Sequence, residues 1–247
     1  MITQIQSDKL IVISDLHLGN PVCRSKRQII QFLNRAANQG YDLCINGDVF
    51  EVAQVSFHKL AKDVPDFLHA LKVLGNKGCN VYYVVGNHDI ILENFLDEWG
   101  NFKIAPFLNV ISGGQRIRIE HGHLYDPLFV RYPLLYEFFT RLFGFPLRAF
   151  PGLYKAWIAV QRFSSYRRAK HNEVITVEHP SFTIAAHEIA QRGFDHIIFG
   201  HTHYVDEVDL GNGKRYFNPG ASMIGRSYIE VLNGKVCLLE WDLKNPF

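Results

Sequence analysis

Five short apolar runs in this chain each break off directly into residue types able to ligate metal ions. Residues 10–14 lead into Asp15-Leu16-His17, residues 42–46 into Gly47-Asp48, and residues 80–85 into Gly86-Asn87-His88-Asp89. Residues 116–120 lead into His121-Gly122-His123, and residues 196–199 into Gly200-His201-Thr202-His203. The runs have the length and composition of buried strands. Loops at the carboxyl ends of strands in an α/β sheet converge on one edge, where ligands bind. Residues i and i+2 of extended backbone point the same way, so Asp15 with His17, and His201 with His203, are each expected to present two ligands together. The glycines beside Asp48, Asn87, His121 and His201 permit tight turns and close approach. Carboxylate, imidazole and amide oxygen without thiolate favour Mn²⁺, Fe or Zn²⁺ over iron–sulfur chemistry. Seven such ligands exceed one tetrahedral zinc and suit two ions sharing a carboxylate.

The intervening segments predict α/β architecture. A helix from about Lys26 carries Ile29, Ile30, Leu33 and Ala37 on one face, and a second from Pro65 carries Phe67, Leu68, Leu71 and Leu74. Three apolar runs alternating with two helices imply right-handed crossovers and parallel pairing. After residue 105 hairpins take over. Gly113-Gly114 separates two strand-like segments, and Asn233-Gly234 separates the last two of three strands near 214–218, 226–232 and 235–241. Mixed pairing in one chain predicts two packed sheets with helices outside.

Cys23, Cys44, Cys79 and Cys237 form no C-x-x-C pair and read as reduced structural thiols. The first ten residues lack a basic segment followed by an apolar one, so no signal peptide is expected. No apolar stretch approaches a spanning helix. These features predict a cytoplasmic protein, free or peripheral at the cytoplasmic face of a membrane.

The formal charge of +2 excludes a uniformly basic nucleic-acid binder and hides a division. Residues 129–170 hold eight basic residues against one acid, and 12 of the 33 aromatics. Pro133, Pro146 and Pro151 divide this segment into expected helices at 133–143 and 152–170, inserted between strands. Three readings stand for it: a helical cap on the core, a lipid- or membrane-facing amphipathic surface, or a nucleic-acid contact through cations and stacking aromatics.

In order, the five blocks D-x-H, GD, GNHD, H and GHTH resemble the signature of the calcineurin-like metallophosphoesterases, and Asn218-Pro219-Gly220-Ala221-Ser222 is similar to that family's NPG turn. The resemblance implies a four-layer αββα sandwich of two mixed β-sheets flanked by helices. It implies one domain over 1–247, with a helical cap inserted at about 125–178. By motif, Asp15, His17 and His203 would hold the first metal, and Asn87, His121 and His201 the second, with Asp48 bridging. His88 matches the position beside the leaving group. The two divalent ions are expected to be Mn²⁺, with Fe or Zn²⁺ as alternatives. The implied reaction is in-line attack by a metal-bridging hydroxide without a covalent intermediate. His123 is expected to support the ligands from behind or contact substrate, and Asp89 either to orient His88 or to cap the following helix. His58, His69, His171, His179, His187 and His196 match no ligand block and are assigned surface or core roles.

The insertion and Gly47-Asp48-Val49-Phe50-Glu51 are similar to the UDP-2,3-diacylglucosamine diphosphatases of lipid A synthesis, whose cap binds acyl chains at the inner membrane. That branch has Arg at the position of His88, and HGD where this chain has His121-Gly122-His123. The expectation is a phosphodiester or pyrophosphate hydrolase acting on UDP-2,3-diacylglucosamine or a related nucleotide-diphospho-lipid. Arg167, Arg168 and Lys170 would contact phosphate, and 129–170 would provide peripheral membrane contact. The alternatives are a nuclease or a cyclic or nucleotide phosphodiesterase of the same superfamily, and then a non-catalytic scaffold of the same fold.

Overall fold

A computed structural model of the chain describes residues 4–20, 23, 25–50, 58, 61, 62, 64–90, 92, 98, 99, 102–136, 138, 142, 156, 178–223 and 225–241. The parallel core forms where the sequence places it. Strand β2 (Lys9–Ile13), helix α1 (Lys26–Asn38), β3 (Asp42–Asn46), α2 (Pro65–Asn76) and β4 (Val81–Val84) follow one another, and β2–β3 and β3–β4 pair in parallel. Their alternation explains the unbroken apolar runs, because both faces are covered. Ile11, Ile13, Leu43, Ile45, Val81 and Tyr83 pack under α1 and α2, whereas Leu10, Val12, Cys44, Tyr82 and Val84 face a second sheet.

That first sheet has the order β13-β12-β2-β3-β4-β6-β5, completed by β5 (Glu98–Trp99), β6 (Phe102–Ala105), β12 (Ser227–Leu232) and β13 (Lys235–Glu240). The second has the order β1-β7-β8-β9-β11-β10, built from β1 (Gln4–Gln6), β7 (Phe107–Ser112), β8 (Gln115–Glu120), β9 (His196–Ile198), β10 (Val205–Gly211) and β11 (Lys214–Pro219). Each mixes parallel and antiparallel pairs. Later come α3 (Pro127–Arg131) and α4 (Pro180–Gln191). Phe182, Ala186 and Ile189 of α4 cover the outer face of the second sheet through Ile197, Phe199 and Tyr216. The layers are therefore α, β, β, α.

The sequence reading needs amendment at several points. Leu68 is 48% exposed, and Ala70 takes its place, since Phe67, Ala70, Leu71 and Leu74 form the true i, i+3, i+4, i+7 stripe. Strands β1, β5, β6 and β10 and helix α4 carry no strong periodicity and were not expected. In the insertion, residues 133–136 are helical as expected, and most of the expected helix at 152–170 lies outside the described residues. All four cysteines are free thiols, and burial pushes the Cys44 thiol up. Among the described residues, no helix is long and apolar enough to cross a membrane.

Phe67 is fully buried between α2 and the first sheet. Phe67→Ala is expected to cost ~3–5 kcal/mol and to lower Tm by roughly 6–20 °C in thermal unfolding. A shift of only a degree or two would mean that the α2 packing face is misassigned.

Candidate metal centre

Parallel neighbours end at the same edge, and that places the ligand residues. Strands β2, β3 and β4 deliver Asp15, His17, Asp48, Asn87 and His88 from one sheet, while β8 and β9, also parallel neighbours, deliver His121, His201 and His203 from the other. The sheets are tied across this edge. Asn46 Nδ2 donates to the Glu120 carbonyl at 2.9 Å, and His121 Nδ1 lies 2.9 Å from the Asn46 carbonyl.

The expectation that extended backbone pairs Asp15 with His17, and His201 with His203, is wrong in its cause. Asp15, His17, Asp48, His201 and His203 have φ of 54°, 45°, 53°, 67° and 63°. Five side-chain-bearing residues therefore occupy the left-handed region, which costs of order 1–3 kcal/mol each and persists only when the surroundings over-determine it. Here they do. Asp15 N donates to Gly47 O, His17 N to Asp48 O, and His201 N to Asp15 Oδ2. His201 and His203 also fall in different ligand groups rather than side by side, so the pairing expected for them does not form. Three glycines at this edge are required by close approach: a Cβ on Gly47 would overlap His121, one on Gly86 would overlap Asp48, and one on Gly200 would overlap Ser14.

Among the described residues, three groups of potential ligands result, the atoms within each group lying within 4.8 Å of one another: Asp15, His17 and His203; His17, Asp48 and His88; and Asp48, His121 and His201. His17 and Asp48 are shared, so the groups form one continuous cluster. His17 Nε2 lies 3.1 Å from His203 Nε2. Asp48 Oδ2 is 3.2 Å from His121 Nε2 and 3.8 Å from His17 Nε2, while its Oδ1 accepts the His88 backbone N–H at 2.9 Å. Asn87 Oδ1 is 2.9 Å from His201 Nδ1 and 3.3 Å from His121 Nε2.

Burial opposes charge on Asp15, Asp48, His121 and His201; the imidazole–carboxylate pairs overcome it at the first three, whereas burial keeps the His201 imidazole low. Asp48 is held well below the usual carboxylate range by His121, His88 and His17, and Asp15 is lowered by His203 and His121. His121, although fully buried, is lifted to about 10 by Asp48 and Asp15. The donor set fits divalent cations. Two ring nitrogens face each other at 3.1 Å, and the buried Asp15 Oδ1 has no hydrogen-bond partner among the described residues. These are oxygen and nitrogen donors without sulfur, a set for Mn²⁺, Fe or Zn²⁺.

The remaining expected residues divide. His88 is half-buried beside His17, ring centroids 4.9 Å apart. Asp89 takes a role that neither sequence alternative covered. Its carboxylate accepts from Val49 N at 2.9 Å, Gly86 N at 2.7 Å and the Tyr83 hydroxyl, locking the Asp48 and Asn87 loops together. His123 packs behind the ligands, 5.6 Å from His121 and edge-on to Phe129 at 5.3 Å. Burial, with repulsion from His121 and His201, pushes its imidazole down to about 3, so it is neutral. His58, His69, His179 and His187 are exposed and His196 is buried. Arg167, Arg168, Lys170, His171 and Glu51 lie outside the described residues.

Two residues at this edge went unnoticed in the sequence. Asp126 Oδ2 lies 3.1 Å from His201 Nε2; the Asp126-Pro127 pair signals a helix start, and nothing in it signals a histidine partner. Glu178, which matches none of the five ligand blocks, is buried beneath the His201–His203 loop. It accepts from Thr202 Oγ1 at 2.5 Å, from Asn218 Nδ2 at 2.6 Å and from the Tyr216 hydroxyl. Burial pushes its carboxyl up to about 7, against those three hydrogen bonds. A carboxyl raised in the folded state gives stability that is complete below its ordinary value of 4.5 and is lost as pH rises through about 7. That corresponds to about 3 kcal/mol. Glu178→Gln is expected to remove this slope, seen as a flatter Tm-against-pH curve between pH 4.5 and 7; parallel wild-type and variant curves would contradict it.

Residues 9–205 match the calcineurin-like phosphoesterase family. The chain is 29% identical over 209 residues to a UDP-2,3-diacylglucosamine hydrolase of Azotobacter vinelandii, covering 78% of this chain and 80% of that one. It is 24% identical to the enzyme of the same name from Porphyromonas gingivalis, covering 94% and 97%. Among solved structures it is similar to vacuolar protein sorting 29 from Cryptosporidium parvum, at 18% identity and a TM-score of 0.47, covering 97% and 93%.

Proposed function

The chain belongs to the calcineurin-like phosphoesterase family and is a hydrolase of phosphoric ester or diphosphate bonds, and from this we propose that it uses two divalent ions to cleave the diphosphate bond of UDP-2,3-diacylglucosamine or a related nucleotide-linked lipid. The continuous cluster of Asp15, His17, Asp48, His88, His121, His201 and His203 carries the two-ion reading, because His17 and Asp48 each belong to two ligand groups. Asp15, His17 and His203 would hold one ion, and His121, His201 and Asn87 the other, with Asp48 between them. Mn²⁺ is the first choice. Ions bound there would polarise a phosphoryl oxygen and make water nucleophilic near neutral pH.

The protein's own groups do the rest. Asp48 and Asp15 stay ionised through the working pH range because imidazoles surround them. His88, half-buried and itself within one of the ligand groups, would hold a proton for the leaving oxygen. Asp89 fixes the two loops that carry Asp48 and His88.

The lipid part of the proposal draws support from the A. vinelandii and P. gingivalis relatives and from the start of the insertion. Leu128, Val130, Leu134, Leu135 and Phe138 are exposed there, Leu134 by 81%. Such a surface suits acyl chains or an anionic bilayer. In this reading residues of about 125–178 form a cap over the site, Arg167, Arg168 and Lys170 contact phosphate, and the protein works peripherally at the cytoplasmic face of a membrane.

The test is hydrolysis of UDP-2,3-diacylglucosamine, UDP-sugars, simple phosphodiesters and DNA by the full chain, with Mn²⁺ and with EDTA. Fastest turnover of the lipid, abolished by EDTA, is expected. Faster turnover of DNA or simple diesters would replace the lipid reading with that of a nuclease or general phosphodiesterase. Inertness toward all four would favour the scaffold.

A further inference from the structure

Asp126 stands where the chain leaves the ligand cluster and enters the insertion, and each of its oxygens has a separate partner. Oδ1 accepts the backbone N–H groups of Leu128 at 2.8 Å and Phe129 at 3.4 Å, capping α3. Oδ2 lies 3.1 Å from His201 Nε2. The other nitrogen of that ring, Nδ1, faces Asn87 Oδ1 at 2.9 Å, on the side where His121 also approaches. His201 therefore turns Nδ1 toward the cluster and Nε2 toward the insertion. Tyr136 and Phe182 lie nearly parallel to the ring, each with its centroid 6.2 Å away. Packing sets the plane of the imidazole, which leaves its tautomer to be decided by hydrogen bonding.

We propose that Asp126 is a positioning residue: its Oδ2 takes the Nε2–H of His201, which leaves Nδ1 unprotonated as the ligand atom, while its Oδ1 fixes the first helix of the insertion to the same carboxylate. The inference rests on the metal-centre reading above. A histidine whose second N–H is held by a carboxylate is locked in one tautomer and is a more basic ligand, and removing such a partner typically costs 10–100-fold in metal affinity. Because one side chain serves both ends, the position of the insertion and the affinity of the ion at His201 are linked. Linkage is reciprocal: whatever draws α3 away from Asp126 weakens that ion, and loss of the ion loosens the start of the insertion.

Two variants test this role. Asp126→Ser keeps an N-cap of nearly equal rank but lacks a second oxygen. Asp126→Asn keeps the shape, and its single oxygen can serve α3 or His201 but not both. The metal-stripped full-length protein is titrated with Mn²⁺ while free Mn²⁺ is followed by electron paramagnetic resonance, and Tm is measured without metal. The wild type is expected to take two equivalents. Asp126→Ser is expected to keep its Tm within about 2 °C and to bind one of the two equivalents about 10–100-fold more weakly. Asp126→Asn should show the same single weakened site, and turnover of both variants should recover at saturating Mn²⁺. Unchanged affinity for both equivalents in both variants would overturn the inference and leave Asp126 a helix cap alone. If the wild type binds no Mn²⁺, the metal-centre reading itself fails, and this inference with it.

Discussion

Asp48→Ala is expected to lower turnover by roughly 10³-fold or more, the scale of losing a main electrostatic contributor in a desolvated site. It is also expected to reduce bound metal from two ions per chain to one at most. Asp48 is the carboxylate on which both halves of the cluster converge: Oδ2 faces His121 and His17, and Oδ1 accepts the His88 backbone N–H. Without it, three imidazoles that now share a negative neighbour face each other in a buried site. His121 is the most affected, since Asp48 is the main reason its imidazole stands at about 10. The raised His121 value adds stability to the metal-free fold that is complete below 6.5 and lost as pH rises through about 10. The variant should lose that contribution as well. Elemental analysis of purified protein together with steady-state rates checks the prediction, and two tightly held ions in Asp48→Ala would end the bridging assignment.

The second large effect is expected at His88. Removing a general acid or base typically costs 10²–10⁴-fold, so His88→Ala should lose that much in turnover while both ions stay bound. The geometry makes this a sharp test, because His88 also lies within ligand distance of His17 and Asp48. If metal content falls in step with activity, His88 is an ion ligand and its role as proton donor is wrong. A leaving group of low pKa separates the cases further. An acid that protonates the leaving oxygen becomes dispensable when that oxygen needs no proton, whereas a missing ligand is felt with every substrate.

Much of this site was legible before any coordinates, for a definite reason. Strands β2, β3 and β4 announce themselves as continuous apolar runs because both faces are covered, by α1 and α2 on one side and the second sheet on the other. The ligand blocks then fall at strand ends, a position fixed by chain order. Elements without such a signal escaped. Strand β10 alternates burial weakly along Val205–Gly211, and α4 buries a stripe of Ala185, Ala186 and Ala190 with few large residues. Leu68 and Ala70 exchanged places because an exposed leucine and a buried alanine invert what hydrophobicity alone suggests.

The sequence by itself determined which chemistry the protein carries: oxygen and nitrogen ligands without sulfur, in five blocks, each after a strand. Residue type fixes donor chemistry and chain order fixes strand ends, so neither needs the fold. Only the tertiary structure decided which ligands meet. His201 and His203 are two residues apart yet fall in different ligand groups, because their backbones turn left-handed rather than extending. Asp126 and Glu178 acquired their roles the same way, one against His201 and the other beneath Thr202, across 75 and 24 residues of chain. Hydrogen bonds and burial of that kind are properties of places where distant segments come together, and a local pattern holds no record of them.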